Sequence, residues 1–122
     1  RAFAAHPRYR DHPAAREADT ALKARFFLPD RYDDRRAPEY WTRFQYPFWW
    51  PNLLTVLDSL AWMGFPADDP DVRRGLEWFT AHQESDGLWP TSYGEGRKAA
   101  TMRRWVGLAV CRVLKRFYGE GA

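Results

Sequence analysis

The stretch Arg73-Arg74-Gly75-Leu76-Glu77-Trp78-Phe79-Thr80-Ala81-His82-Gln83-Glu84-Ser85-Asp86-Gly87-Leu88-Trp89 reads as a helix with a stop. Leu76, Phe79 and Gln83 recur at three- and four-residue steps with Trp78 beside them, the period of a helix that hides one face. Ser85-Asp86-Gly87 breaks that period and delivers Leu88-Trp89 into a loop bounded by Pro90. Just upstream, Asp68-Asp69-Pro70-Asp71 offers a capping side chain, a Pro tolerated in the first turn and negative charge at the positive end of the helix dipole. A helix from Pro70 to Gln83 is therefore expected.

The flanking segments read the same way. Before it, Pro51 suits a first helical position, and Leu53, Leu54, Val56, Leu57, Leu60, Ala61 and Met63 cover most of a helix circumference, the mark of a buried helix. Gly64 and Pro66 stop it. After it, a Gly-containing loop leads to a last helix, roughly Lys98 to Tyr118, closed by Gly119. Met102, Trp105, Val106, Leu108, Ala109, Val110, Val113, Leu114 and Phe117 make that helix apolar over a wide arc, so a second buried helix is expected. Trp50 and Trp105 stand 55 residues apart, as do Gly64 and Gly119 (105 − 50 and 119 − 64), and Leu53 then matches Leu108. Such self-similarity points to stacked α-hairpins.

A more amphipathic segment precedes each apolar helix, Ala14 to Phe27 in the first case and Pro70 to Gln83 in the second. The chain is thus expected to be all-α, with four main helices in two hairpins, ordered outer, inner, outer, inner. Residues 1–12 are expected to be an arm, 13–64 the first hairpin with a long aromatic connection, and 65–119 the second hairpin. The connection from Asp30 to Trp50 is too rich in rings for a solvated linker and is expected to pack on something.

Composition bounds the function. A chain of 122 residues builds one modest core, and 45% hydrophobic with 17% aromatic residues describes a globular segment rich in rings. Nineteen basic against sixteen acidic groups, a net charge of +3, is too balanced to argue for nucleic acid. Arg outnumbers Lys, which suits carboxylate and phosphate ligands. A single cysteine, Cys111, excludes an internal disulfide and a cysteine metal cluster; it is expected in the core of its helix. No apolar run approaches the ~20 residues of a membrane span, so a cytoplasmic location, or attachment at a membrane periphery, is expected. The chain opens on Arg1, which suggests a piece of a longer one or a processed product.

A basic residue and Gly, an aromatic, then Gln83, a short acidic turn, Gly87, any residue and Trp89 resembles the QW repeat of squalene-hopene and oxidosqualene cyclases, and looser forms occur in protein prenyltransferase beta subunits. The resemblance covers residues 51 to 119 well and the first hairpin loosely. It implies part of an α/α toroid whose outer helices run into the Gly-x-Trp turn and whose inner helices line a cavity for an apolar, isoprenoid-like ligand. It also implies that Gln83 and Trp89 are structural braces between neighbouring outer helices, not catalysts. A closed ring of this kind needs more hairpins than these two, so the remainder of a longer chain, or self-association, is expected to cover the open flanks. The acidic Asp-x-Asp-Asp cluster of the cyclases is missing: Asp30-Arg31-Tyr32-Asp33-Asp34 and Asp68-Asp69-Pro70-Asp71 do not match it. Neither metal nor cofactor is expected, since His6, His12, His82 and Cys111 lack ligand spacing.

If the 55-residue repeat superposes the two apolar helices, their N-terminal ends share a rim. Tyr46, Trp49, Trp50 and Asn52 from one repeat would meet Thr101, Arg103, Arg104 and Trp105 from the next, giving aromatic walls with a few polar groups for a small ligand. The bland alternative makes the Trp residues core and the Arg residues a solvated stripe. Asp58, inside an otherwise apolar helix, is expected to be ion-paired, for example with Arg112, or else to face a water-filled lumen as a catalytic candidate. A non-catalytic ligand-binding or protein-interaction toroid, and a carbohydrate-active toroid with Tyr46, Trp49 and Trp50 as stacking platforms, are the rival expectations.

Overall fold

Short polar side chains and prolines set where the helices begin. The computed structural model describes residues 1–48 and 50–119. Six helices follow one another: α1 (Ala2–Ala5), α2 (Pro7–Arg10), α3 (Pro13–Lys23), α4 (Leu53–Trp62), α5 (Pro70–Ala81) and α6 (Gly96–Tyr118). Two 3₁₀ turns, Asp33–Arg35 and Pro38–Thr42, lie between α3 and α4. The fold is all-α with four main helices, and no strand occurs among the described residues.

Three of the four main helices, α3, α4 and α5, start at a side-chain cap, whereas α6 begins at Gly96 without one. Asp69 Oδ1 accepts from the amides of Asp71 (3.0 Å) and Val72 (3.2 Å), with Pro70 in the first turn. Asn52 and Thr55 form a reciprocal capping box at α4: the Thr55 amide donates to Asn52 Oδ1 at 3.1 Å and the Asn52 amide to Thr55 Oγ1 at 3.0 Å. Pro51 therefore precedes the helix instead of opening it, because Asn52 holds the capping position. His6 and His12 cap α2 and α3, each accepting an amide at 3.2 Å in front of a Pro. The end of α4 is closed by the amides of Gly64 and Phe65, which return to the carbonyls of Ala61 (3.2 Å) and Leu60 (3.0 Å).

α4 is the centre. Leu53, Leu54, Val56, Leu57, Ser59 and Leu60 are all buried, and α6, α5, α3 and α1 pack around it. α5 comes closest at Gly75, where an added Cβ would stand 3.0 Å from Leu53 Cδ1 and 3.3 Å from Leu57 Cδ1. The glycine of the motif is thus a helix-to-helix contact point. α3 is clipped to the start of α5 by Lys23, whose ammonium reaches Asp69 at 3.0 Å and Asp71 at 3.2 Å. The 30–52 connection is pinned by Phe44, fully buried between Phe79 (stacked, 5.4 Å) and Trp78 (edge-on, 5.5 Å), while its carbonyl accepts the Ser92 amide at 2.8 Å. Phe44 packs as the composition of the connection predicts, while Tyr32, Tyr46 and Trp50 stay exposed.

Several sequence expectations are corrected. The arm at 1–12 is two single helical turns, and α1 rests on α4 through the buried Ala4. The first amphipathic helix ends at Lys23 instead of Phe27: Phe26 turns into the core against Trp41, and Phe27 takes a left-handed φ of 64° that reverses the chain before Pro29. α6 is buried along one stripe only, Val106, Gly107, Val110 and Val113, while Leu108 and Cys111 are exposed. The cause is geometric: α4, the 88–89 turn and the 46–48 segment cover one side of α6 and leave the arc with Leu108 and Cys111 facing out. For the same reason the 55-residue match fails side chain by side chain, with Leu53 buried and Leu108 45% exposed, and with Trp50 ahead of α4 while Trp105 lies inside α6.

Two predictions follow from the packing. Gly75→Val forces a branched side chain against two fully buried leucines and lowers stability by about 1–3 kcal/mol, read by urea denaturation. The second concerns the Lys23 clip. Burial works against charge on both partners, yet their hydrogen bonds and mutual attraction outweigh it, so the Lys23 ammonium sits above the usual lysine value and the Asp69 carboxyl below the usual carboxylate range. Asp69 then contributes stability above its unfolded pKa and loses it as the pH falls through the folded value; Lys23 contributes below its unfolded pKa and loses it as the pH rises through the folded one. Lys23→Met should flatten the acid side of a plot of Tm against pH below about pH 4, where the wild-type curve falls.

Candidate functional site

The QW-like turn builds from α5 downward. Trp89 is buried and its Nε1 donates to the Phe79 carbonyl at 2.7 Å, with its ring edge-on to Phe79. That bond satisfies one of the free carbonyls at the C-terminal end of α5. Gln83 Nε2 donates to the Gly87 carbonyl at 2.9 Å, and the Glu84 amide donates to Leu88 O at 2.8 Å, closing the turn across Gly87, whose φ is +80°. Both side chains bond within their own turn and the end of α5. Gln83 is exposed, and its side chain caps no neighbouring helix start among the described residues.

Arg103 belongs to this turn and not to the rim. Its guanidinium binds both oxygens of Asp86 (2.9 and 3.1 Å), contacts Glu84 and reaches the Trp89 carbonyl at 3.4 Å. The bonds from Arg103 and from the Leu88 amide hold the Asp86 carboxyl below the usual carboxylate range, and the same pairing raises Arg103. The clamp ties α6 to the end of α5 through the loop. Nothing in the local sequence distinguishes Arg103 from Arg104, because the choice depends on which way α6 is rotated about its axis.

Part of the expected rim does assemble. Tyr46 stacks on Trp105 with ring centroids 5.1 Å apart and planes 12° from parallel, and Phe48 meets Tyr46 edge-on at 5.5 Å. Tyr46 and Trp105 remain 40% and 46% exposed, and together with Arg97, Lys98, Thr101 and Met102 they wall an open groove of about 480 Å³. Trp50 is 57% exposed and Arg104 exposed, and neither lines the groove. Asn52 is withdrawn by its capping role and buried. Trp49 lies outside the described residues. The residues that the sequence reading missed are Arg97, Lys98 and Met102, one turn earlier on α6; counting three and four positions back from Trp105 along the helix leads to Met102, Thr101 and then Lys98.

Asp58 sits at a second cavity, of about 110 Å³, between α4 and α6, with Leu54, Thr55, Ala109, Arg112 and Val113 among its walls. It is ion-paired: Oδ2 accepts from Arg1 at 3.0 Å and Oδ1 from Arg116. Arg116 thus takes the place expected of Arg112, since one further helical turn brings it level with Asp58. Among the described residues no group of three or more His, Cys, Asp or Glu side chains is placed to hold a metal ion.

Trp89→Phe keeps the ring in the core but leaves the Phe79 carbonyl without its donor, and should cost about 1–3 kcal/mol in chemical denaturation. Arg103→Gln should leave the helices intact while speeding amide hydrogen exchange at residues 84 to 89, read by mass spectrometry. Comparison with family models, with curated proteins and with solved structures yields no match for this chain.

Proposed function

We propose that this chain is a segment of an α/α-hairpin repeat protein of the squalene-cyclase and prenyltransferase type, and that it binds an apolar, isoprenoid-like small molecule at the start of α6. The observation that carries this reading is the stacked Tyr46–Trp105 pair, an aromatic wall left open to solvent beside Met102 and the methylene stems of Arg97 and Lys98. Rings held face to face by a loop and a helix from distant parts of the chain form a surface already fixed before a ligand arrives, which lowers the entropic cost of binding. The packing of α4 between α5 and α6 supports the helical-hairpin part of the proposal.

Binding, more than chemistry, is what these residues offer. None of the six residues lining the groove is a carboxylate, and Asp58 is neutralised elsewhere by Arg1 and Arg116. A carbohydrate-active reading needs paired carboxylates across the groove, so the apolar ligand is favoured.

Farnesol added to the protein should quench tryptophan fluorescence saturably. Tyr46→Ala combined with Trp105→Ala should weaken that binding roughly tenfold or more, the equivalent of about 1.4 kcal/mol, with an unchanged thermal midpoint. Unchanged affinity would sink the proposal, and saturable binding of a maltooligosaccharide in place of farnesol would move the site to the carbohydrate class.

A further inference from the structure

At the far end of α6, about 20 Å along the helix from the aromatic rim, a second groove of about 510 Å³ opens between Arg10, Ala61, Trp62, Arg112, Lys115 and Arg116. Its floor is Trp62, 42% exposed, with the Arg10 guanidinium 4.8 Å and the Arg116 guanidinium 4.6 Å from the ring centroid. Such cation–π contacts hold two otherwise mobile side chains in place. Arg10 is fixed further by its bond to the Ala4 carbonyl at 2.5 Å. A smaller cavity shares Arg10 and Trp62 and continues to Arg1 and Asp58.

The charge in this region is one-sided. Arg1, Arg10, Arg112, Lys115 and Arg116 converge from the first turns of the chain and from α6, and among the described residues lining these cavities Asp58 supplies the one carboxylate, already shared by Arg1 and Arg116. α6 itself contains no acidic residue. Arg112 and Lys115 are exposed and form no ion pair among the described residues. A solvated stripe spreads its cations apart along a helix. Here they face a common concavity with an indole at its base, and their mutual repulsion is relieved by an anion with several oxygens.

We infer that this groove is a binding site for a multiply charged oxyanion of the phosphate or diphosphate class, with Arg112 and Lys115 as its free ligating groups and Arg10 and Arg116 fixed beside them on Trp62. The guanidinium forks suit two oxygens of one phosphoryl group, and the Lys115 ammonium supplies a mobile point charge. The site is separate from the aromatic rim and does not rest on the function proposed there.

Isothermal titration with inorganic pyrophosphate tests it. Arg112→Gln combined with Lys115→Gln touches two exposed residues and leaves the core alone, so unchanged far-UV circular dichroism is the control for folding. Arg97→Gln combined with Lys98→Gln removes the same charge from the other end of α6. Pyrophosphate should bind saturably and one-to-one, with affinity falling at least tenfold in the first pair and staying within twofold in the second. Sedimentation with phosphatidylcholine vesicles containing phosphatidic acid separates the sources: pelleting that needs Arg112 and Lys115, without binding of free pyrophosphate, assigns the oxyanion to a lipid headgroup. Binding of neither probe, or equal weakening by both charge-removing pairs, overturns the site.

Discussion

The burial of α4 is the constraint on which the rest depends. A helix apolar around most of its girth gains nothing from lying on a surface; it is stable only when neighbours close on every side. Leu53, Leu54, Leu57 and Leu60 are each 2% exposed or less, and full burial of such a side chain is worth about 1.5–3 kcal/mol. The neighbours are supplied from every part of the chain: α1 and α3 from before it, α5 and α6 from after it. The absence of a side chain at Gly75 sets how near α5 stands, and the Asn52–Thr55 box fixes where α4 begins.

Fixing α4 also fixes the loops, and through them the rim. Phe44 is drawn between Trp78 and Phe79, and its carbonyl is held by Ser92, so the two long connections meet at one point. Tyr46, two residues further on, is thereby delivered against Trp105 of α6. The groove at the start of α6 is thus a consequence of where Phe44 is buried, and its aromatic pair is assembled from segments with no local relation in the sequence.

Charge is distributed by the same packing. Asp69 and Asp71 are used at the start of α5 by Lys23, Asp86 and Glu84 are used by Arg103, and Asp58 by Arg1 and Arg116. These pairs hold elements together. Along α6 they leave Arg97, Lys98, Arg104, Arg112 and Lys115 without an ion pair among the described residues, and the helix itself carries no acid. A modest net charge of +3 therefore hides a strongly uneven surface.

The sequence by itself determined the four main helices and their order. Periodicity, Asp69-Pro70, Asn52 and Gly64 are local signals, and a helix start or stop is a local event decided by a few backbone groups and the side chains next to them. The same reasoning could read Trp89 as a brace, because the turn that positions it is contained within Gln83 to Trp89. Rotation about helix axes and the meeting of distant segments were decided only by the tertiary structure. α6 carries apolar residues over an arc wider than α4 can cover, so which of them face inward is set by the neighbours available and not by the pattern; hence Leu108 and Cys111 lie outside. Arg103 and Arg104 are adjacent and chemically identical, yet one step of rotation sends the first to Asp86 and the second to solvent. Asp58 finds Arg116 instead of Arg112 because the relative height of α4 and α6 is a property of their packed faces, and no spacing within either helix encodes it.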